Sequence, residues 1–208
     1  MAKIQAVVFD LFKTLIYQPD NEKQGGYRDL IHALGFKDED YQNVRKIIMR
    51  EAGLSDVAAI ARRLAPDRAE QIDLPFFQKQ IDRRIGQVRW YDETVFVLEK
   101  LKSRGLKIGL ISNLSQPFAR PFFDLGLAAY FDVVFFSFEL GLLKPDQLLY
   151  HMMITKLGLP AEQIIMTGDQ FSKDVEAPRK EGMQAVLLDR SGQEPGSIKT
   201  LEGIFDYL

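Results

Sequence analysis

The chain has 208 residues, which suits one domain or one domain that carries a large insertion. With 46% hydrophobic and 27% charged residues it has the composition of a globular protein, and a disordered or low-complexity chain is excluded. Its 27 Lys and Arg residues against 29 Asp and Glu leave a net charge of -2, so no excess positive field exists to hold nucleic acid or an anionic membrane surface.

Five short apolar runs predict the strands of a sheet that is buried on both faces. The runs cover residues 4–9 (IQAVVF), 106–111 (LKIGLI), 133–136 (VVFF), 164–166 (IIM) and 185–188 (AVLL). Helical periodicity lies between them, at residues 94–103 and 145–157. Because strands alternate with helices, we predict an α/β fold in which a doubly wound parallel sheet is covered by helices on both faces, with right-handed crossovers.

The segment 17–88 interrupts this alternation, because it has helical periodicity and no convincing strand. Apolar residues follow Tyr27 at i+3, i+4 and i+7, which is the spacing of one helix face, and Ser55 is predicted to cap a later helix. We therefore predict an α/β core built from residues 1–16 and 89–208, and an all-helical insertion between them.

The residue types that are missing or rare restrict the chemistry. Zero cysteines exclude disulfides, thiolate metal ligands and a cysteine nucleophile, and fit a reducing compartment. The two histidines, His32 and His151, lie in helical patterns, so three-histidine zinc chemistry is excluded and a Ser-His-Asp triad is disfavoured. No run of 18 apolar residues predicts a membrane span, and the first ten residues carry no secretory signal. We expect a cytoplasmic protein without nucleic-acid or membrane partners.

Polar side chains follow the predicted strands, near the point where each strand ends. They are Asp10, Thr14, Ser112, Asn113, Lys144, Asp169 and Asp174. Because the carboxyl ends of parallel strands meet at one edge of a sheet, these side chains are expected to converge on one site. Carboxylate oxygens are ligands that Mg²⁺ prefers, although an aspartate or serine at a strand end is equally common as a helix cap or turn former.

The same residues form four motifs along the chain. The motifs are Asp10-Leu11-Phe12-Lys13-Thr14, Ile111-Ser112-Asn113, Lys144-Pro145-Asp146, and Gly168-Asp169 with Asp174 five positions later. In order and spacing they resemble the motifs of the haloacid dehalogenase-like (HAD) hydrolase superfamily, and the resemblance covers nearly the whole chain apart from the helical insertion. That insertion is similar to the cap domain that one subfamily carries after its first motif. The resemblance implies a Rossmann-like core with an all-helical cap.

This resemblance also implies an activity, that of a Mg²⁺-dependent phosphatase acting on a small phosphorylated substrate through an aspartyl-phosphate intermediate. A phosphate monoester repels a nucleophile by its own charge, so a cation and hydrogen-bond donors are needed. The implied catalytic residues are Asp10, Ser112 and Lys144. The implied substrate-binding residues are Thr14, Asn113 and Lys144. The implied Mg²⁺ ligands are Asp10, the backbone carbonyl of Phe12, Asp169 and Asp174.

The first motif departs from the family pattern at two positions. Phosphatases of this family usually have an acid/base aspartate where this chain has Phe12, and commonly have glycine where it has Lys13. Phenylalanine cannot transfer a proton, and loss of general acid-base catalysis lowers a rate roughly 10²- to 10⁴-fold. We therefore expect slow or specialised phosphatase turnover.

Two alternative functions stay open. Phe12 is similar to the tyrosine that 2-haloacid dehalogenases have at this position, and Tyr150, six residues after Lys144, also resembles that branch. The carboxylates Asp169 and Asp174 are instead similar to those of the metal-dependent phosphatases, which favours phosphatase chemistry. The second alternative is a catalytically weak phosphate-binding or interaction module. No motif indicates the substrate or the oligomeric state.

Overall fold

A parallel sheet forms the centre of the molecule. The computed structural model describes residues 3–19 and 26–208. Its strands are β1 (Ala6–Phe9), β2 (Ile16–Tyr17), β3 (Arg89–Trp90), β4 (Lys107–Ser112), β5 (Val133–Phe136), β6 (Ile164–Gly168) and β7 (Gln184–Leu187). Five of them form one parallel sheet in the order β5-β4-β1-β6-β7, and β2 pairs with β3 in antiparallel orientation. The predicted α/β class is confirmed, and each predicted strand is present with its ends shifted by no more than two residues.

Helices follow most of the strands. The α-helices are α1 (Tyr27–Ala33), α2 (Tyr41–Ile48), α3 (Val57–Leu64), α4 (Pro66–Ala69), α5 (Leu74–Gly86), α6 (Thr94–Ser103), α7 (Arg120–Asp124), α8 (Ser137–Leu140), α9 (Gln147–Leu157) and α10 (Ala177–Lys180). Short 3₁₀ helices cover Asp38–Asp40, Gln116–Ala119, Leu127–Tyr130, Ala161–Gln163 and Leu201–Tyr207, and one π-helical turn covers Phe171–Glu176. The helix predicted at 145–157 begins at Gln147, because the Asp146 carboxylate caps it by accepting from the Leu148 amide at 3.0 Å.

Apolar clusters cover both faces of the parallel sheet. Successive residues of a strand point to opposite faces, so neighbouring residues of β1 belong to different clusters. In β1, Phe9 belongs to an apolar cluster that includes Leu98 of α6, whereas Val8 belongs to a second cluster that includes Met153 of α9. These four side chains are fully buried. Burial on both faces explains why β1 is a continuous apolar run rather than an alternating one.

The helices α1 to α5 pack around a third apolar cluster, with fully buried members such as Ile31 and Ile60. The cap of α3 is Asp56, whose side chain accepts from the Ala59 amide at 2.7 Å. The predicted cap, Ser55, was wrong by one residue. Asp56 has extended backbone angles and directly precedes the first helical residue, so its carboxylate reaches the third amide of the helix.

The chain enters and leaves the helical segment side by side. Ile16 pairs with Trp90 and Tyr17 with Arg89 across β2 and β3. Residues 20–25, which belong to the predicted insertion, lie outside the described residues.

Hydrogen bonds join the helical segment to the loop that follows β4. The hydroxyl groups of Tyr27 and Ser115 lie 2.8 Å apart, and the Gly53 amide donates to the side chain of Gln116 at 2.8 Å. Because this loop leaves the carboxyl end of β4, the helical segment contacts the sheet edge at which the predicted site residues were expected.

Candidate active site

The register of the sheet places two aspartates side by side. Phe9 at the end of β1 is level with Thr167 of β6, and the Asp10 amide donates to the Thr167 carbonyl at 3.1 Å. Asp169 follows β6 directly, so it leaves the sheet at the same edge as Asp10.

Lys144 links two of the carboxylates. Its Nζ donates to Asp10 Oδ1 and to Asp174 Oδ1, both at 2.7 Å, and all three side chains are buried. Pairing with two carboxylates is what allows an ammonium group to be buried.

The side chain of Asn113 is directed at the backbone of Lys144. Asn113 Nδ2 donates to the Lys144 carbonyl at 2.9 Å, and the Lys144 amide donates to Asn113 Oδ1 at 2.8 Å. These contacts engage both polar ends of the amide group. The geometry therefore favours a positioning role for Asn113 over the substrate contact that the resemblance implied.

Three carboxylates are close enough to share one cation. Asp10, Asp169 and Asp174 each offer an oxygen, and these oxygens lie within 4.8 Å of one another. Asp169 Oδ1 is buried and has no hydrogen-bond partner among the described residues. A buried carboxylate oxygen without a donor is costly, and a bound cation would satisfy it. The oxygen-only donor set fits Mg²⁺.

The π-helical turn after β6 positions Asp174. Asp174 Oδ2 accepts from the Gln170 amide at 3.0 Å, and the Tyr150 hydroxyl donates to the Lys173 carbonyl at 2.6 Å. A Cβ on Gly168 would collide with the Asp174 side chain, so a glycine is needed there. Sequence reasoning missed Gln170, which acts through its backbone, and connected Tyr150 with dehalogenases, whereas the structure gives its hydroxyl a backbone partner.

The electrostatics of the cluster leave an excess of negative charge. Burial, together with the charges of Asp174 and Asp169, raises the pKa of Asp10 to about 6 against the opposing effect of Lys144. Burial, together with the charge of Asp174, also raises the pKa of Asp169. Burial by itself would lower the pKa of Lys144, but Asp10 and Asp174 offset this effect and hold its pKa above the usual value. Lys144 pairs directly with only two of the three carboxylates, and a divalent cation would help to balance the remaining negative charge.

Two hydroxyl groups lie near the end of β1 and β4. Ser112 is the last residue of β4 and is buried. Thr14 is buried in the loop after β1, and its Oγ1 has no hydrogen-bond partner in the described part of the chain. A free donor of this kind fits an oxygen-rich ligand.

Phe12 and Lys13 define the remaining shape of the loop after Asp10. The Phe12 ring is half-buried and packs on Phe118. Lys13 has a positive φ of 63°, which a residue other than glycine adopts at a steric cost. The metal-ligand role implied for the Phe12 carbonyl stays a prediction.

Comparisons with known proteins identify the family and the fold of this chain. A family model of haloacid dehalogenase-like hydrolases matches residues 4–182. Phosphoserine phosphatase from Thermus thermophilus is 35% identical over 127 residues, which are 61% of this chain and 49% of that protein, so the chain spans about half the length of this curated relative. The crystal structure of a HAD phosphatase from Thermococcus onnurineus matches with a TM-score of 0.69 at 24% identity, and the match covers 98% of this chain and 97% of the phosphatase chain. That of a 2-haloacid dehalogenase from Pseudomonas syringae has a TM-score of 0.67 at 23% identity, with coverage of 98% and 97%.

The chain belongs to the haloacid dehalogenase-like hydrolase family, because the family model covers most of its length. It has the fold that its motifs predicted. The two similar crystal structures carry different activities on the same fold, so the fold does not separate phosphatase from dehalogenase chemistry. Among the described residues, no helix combines the length and the apolar character needed to cross a membrane.

Proposed function

We propose that the protein is a Mg²⁺-dependent phosphatase that hydrolyses a small phosphorylated metabolite through an aspartyl-phosphate on Asp10. The observation that carries this proposal is the cluster of Asp10, Asp169 and Asp174, in which Asp10 and Asp174 both pair with the buried Lys144 ammonium. Displacement of a halide from carbon needs no such density of carboxylates, whereas attack on an anionic phosphoryl group needs cations beside the nucleophile. The similarity to phosphoserine phosphatase supports the same class.

In the first step, an Asp10 oxygen attacks phosphorus, a bond to Asp10 forms and the ester bond to the leaving oxygen breaks. Lys144 and Ser112 bind the phosphoryl oxygens, and the free Thr14 hydroxyl donates to the same group. Asn113 holds the backbone of Lys144 during this step. Water then attacks the phosphorus of the intermediate, which releases phosphate and restores the Asp10 carboxylate.

Asp10, Asp169, Asp174 and the Phe12 carbonyl are the groups that would hold Mg²⁺. When bound, the ion reduces the repulsion between the nucleophile and the phosphoryl group. Gln170 fixes Asp174 by donating to its second oxygen.

Phe12 makes the proposed enzyme selective for good leaving groups. A phenyl ring neither protonates the departing oxygen nor activates the hydrolytic water. Aryl and acyl phosphates leave as weak bases, so they need this assistance least. We therefore propose faster turnover of such substrates and a long-lived phospho-Asp10 intermediate.

The helical segment, residues 17–88, is proposed to be a cap domain on a core of residues 1–16 and 89–208. Its separate apolar cluster and its hydrogen bonds to the loop after β4 support this division. A cap in contact with the site edge favours small substrates. The cysteine-free composition supports a cytoplasmic location.

The experiment compares wild type with Asp169→Asn and with the control Asp124→Asn, which changes an exposed aspartate on α7. Phosphate release from p-nitrophenyl phosphate is measured with Mg²⁺ and with EDTA, and the Mg²⁺-induced rise in Tm is measured separately. We expect Mg²⁺-dependent phosphate release and a Mg²⁺-induced rise in Tm in wild type and in Asp124→Asn. In Asp169→Asn, the rate of phosphate release and the affinity for Mg²⁺ should each fall by more than the roughly 10- to 100-fold that follows loss of a group outside the ligand shell.

Halide release from 2-chloropropionate in the presence of EDTA would instead establish a dehalogenase. A wild type that binds Mg²⁺ and phosphate analogues but releases neither product would contradict the proposed turnover. Equal Mg²⁺ affinity in wild type and Asp169→Asn would contradict the proposed site.

A further inference from the structure

The loop that follows the proposed nucleophile contains a strained residue. Lys13, with its φ of 63°, is the one residue other than glycine with a positive φ among residues 3–19 and 26–208. For an L-residue this conformation brings Cβ close to the carbonyl oxygen that follows. Such a conformation persists where neighbouring groups hold it in place.

Arg190 contacts this loop from the other end of the chain. Its guanidinium group donates to the Thr14 carbonyl at 2.8 Å and to the Lys13 carbonyl at 3.4 Å. The two carbonyls belong to the strained residue and to the residue that follows it. Arg190 follows β7, so the contact spans 176 residues of sequence.

Two further side chains fix the guanidinium group. Arg190 donates to Glu93 Oε1 at 2.7 Å, and its Cζ lies 3.4 Å from the centroid of the Tyr91 ring. Glu93 also accepts from the Leu201 amide at 3.3 Å. Stacking on an aromatic ring and pairing with a carboxylate use the planar geometry of arginine, which lysine lacks.

The same residues border the connections to the helical segment. The Tyr91 amide donates to the Leu15 carbonyl at 3.2 Å, and the Tyr91 and Tyr17 rings lie 4.7 Å apart. Arg190 therefore contacts two parts of the chain directly, the loop after Asp10 and the segment that follows β3. Tyr91 connects that segment to Leu15, just before β2.

We infer that Arg190 is a positioning residue that holds the Lys13–Thr14 turn in the conformation needed by Asp10 and the Thr14 hydroxyl. The catalytic part of this inference rests on the proposed phosphatase function. The structural part, that Arg190 stabilises the strained turn, does not depend on it. With Arg190 shortened, Lys13 relaxes to a negative φ and the Thr14 hydroxyl leaves the site.

The structural part is tested by a double-mutant cycle in Tm. Arg190→Met is made in the wild-type, Lys13→Gly and Lys13→Ala backgrounds. Glycine removes both the strain and the charge of residue 13, whereas alanine removes only the charge. We expect Arg190→Met to lower Tm by about 3–6 °C in the wild-type and Lys13→Ala backgrounds, as for a lost charged hydrogen bond in a chain of this size. In the Lys13→Gly background the loss should be larger by about 2–4 °C, because breaking the Arg190 contact relieves no strain when residue 13 is glycine.

The matched control is Arg179→Met, because Arg179 also donates to a backbone carbonyl, that of Ala185, at 2.7 Å. Its effect on Tm should be the same in all three backgrounds. If the loss of Tm caused by Arg190→Met were also the same in all three backgrounds, the inference would be overturned. Arg190 would then stabilise the protein through its contact with Glu93 and not by holding the strained turn.

The catalytic part is tested with p-nitrophenyl phosphate. Arg190→Met should lower kcat about 10- to 100-fold and raise KM by a smaller factor, because the displaced loop carries both Asp10, which reacts, and the Thr14 hydroxyl, which binds the phosphoryl group. Lys13→Gly should restore part of this loss, and Arg190→Lys should lie between wild type and Arg190→Met. A kcat that is unchanged in a folded Arg190→Met variant would contradict the catalytic role. A wild type without phosphatase activity would refute the proposed function instead, and the Tm cycle would still decide the role of Arg190.

Discussion

The ring of Phe12 meets the ring of Phe118 edge to face, with centroids 6.1 Å apart. Phe118 in turn packs on Tyr27 of α1 at 5.6 Å. The position at which the family resemblance implies an acid/base aspartate therefore forms part of an apolar contact between the loop after Asp10 and the helical segment. Packing explains how phenylalanine is accommodated here, and it implies that a carboxylate at this position would enter an apolar environment.

Phe12→Asp should raise the turnover of alkyl phosphates, by up to the roughly 10²- to 10⁴-fold that general acid-base catalysis supplies. The lost ring contact should lower the free energy of unfolding by about 0.5–1.5 kcal/mol. The control is Phe12→Asn, which has nearly the same size and cannot transfer the proton. Steady-state rates on a matched aryl and alkyl phosphate pair measure the effect. Equal alkyl rates for the Asp and Asn variants would mean that the proton comes from elsewhere.

Asn113→Ala should misplace Lys144, because the variant removes both hydrogen bonds to its backbone. We expect kcat to fall about 10- to 100-fold, which is the loss that follows removal of a residue that orients a group of the site. The free energy of unfolding should fall by about 1–3 kcal/mol. Gln116→Ala is the control, because Gln116 also lies in the loop after β4 and its side chain accepts from a backbone amide, that of Gly53 in the helical segment. It should lower stability and leave kcat nearly unchanged. Similar kinetic losses in both variants would indicate a general disturbance of the loop.

The stability of the metal-free protein should depend on the charge of Asp10. Its folded-state pKa of about 6 lies above the ordinary value of 3.8, so the folded state binds this proton more tightly than the unfolded state. The resulting stabilisation is fully present below about pH 4 and is lost as pH rises through about 6, with a magnitude of at most about 3 kcal/mol.

The measurement for this prediction is urea unfolding in EDTA between pH 4 and 7, for wild type and Asp10→Asn. The stability of Asp10→Asn relative to wild type should increase with pH, because the asparagine has no charge to bury. Mg²⁺ should return stability to the wild type at neutral pH. If the difference in the free energy of unfolding between the two proteins did not change with pH, the raised pKa of Asp10 would be contradicted.

Gly168→Ala should disturb the carboxylate cluster, because the added methyl group occupies the space of the Asp174 side chain. We expect a loss of about 1–3 kcal/mol in the free energy of unfolding and a weaker Mg²⁺-dependent rise in Tm. The control is Gly86→Ala at the end of α5, where an added Cβ meets no atom within 4 Å. That variant should be neutral or slightly stabilising. Unchanged Mg²⁺ binding in Gly168→Ala would show that Asp174 can move without affecting the site.

Much of the core could be predicted from the sequence, because its signals are local. A strand buried on both faces must be a continuous apolar run, which is why β1 and β6 could be located within two residues. The meeting of Asp10 with Asp169 also followed from sequence, since parallel strands bring their carboxyl ends to one edge. The identity of Phe12 showed directly that a proton donor is missing from the first motif.

The tertiary structure alone decided which partners the other side chains have. Asn113 could have faced the substrate, but it binds the backbone of Lys144, 31 residues away. Tyr150 donates to a carbonyl in the π-helical turn, and Arg190 reaches the loop after Asp10 from 176 residues away. Such hydrogen bonds depend on which loops the packed sheet and helices bring within about 3 Å of each other. Local patterns of apolar and polar residues carry no information on that distance, so a lone arginine after a strand gave no signal of its role.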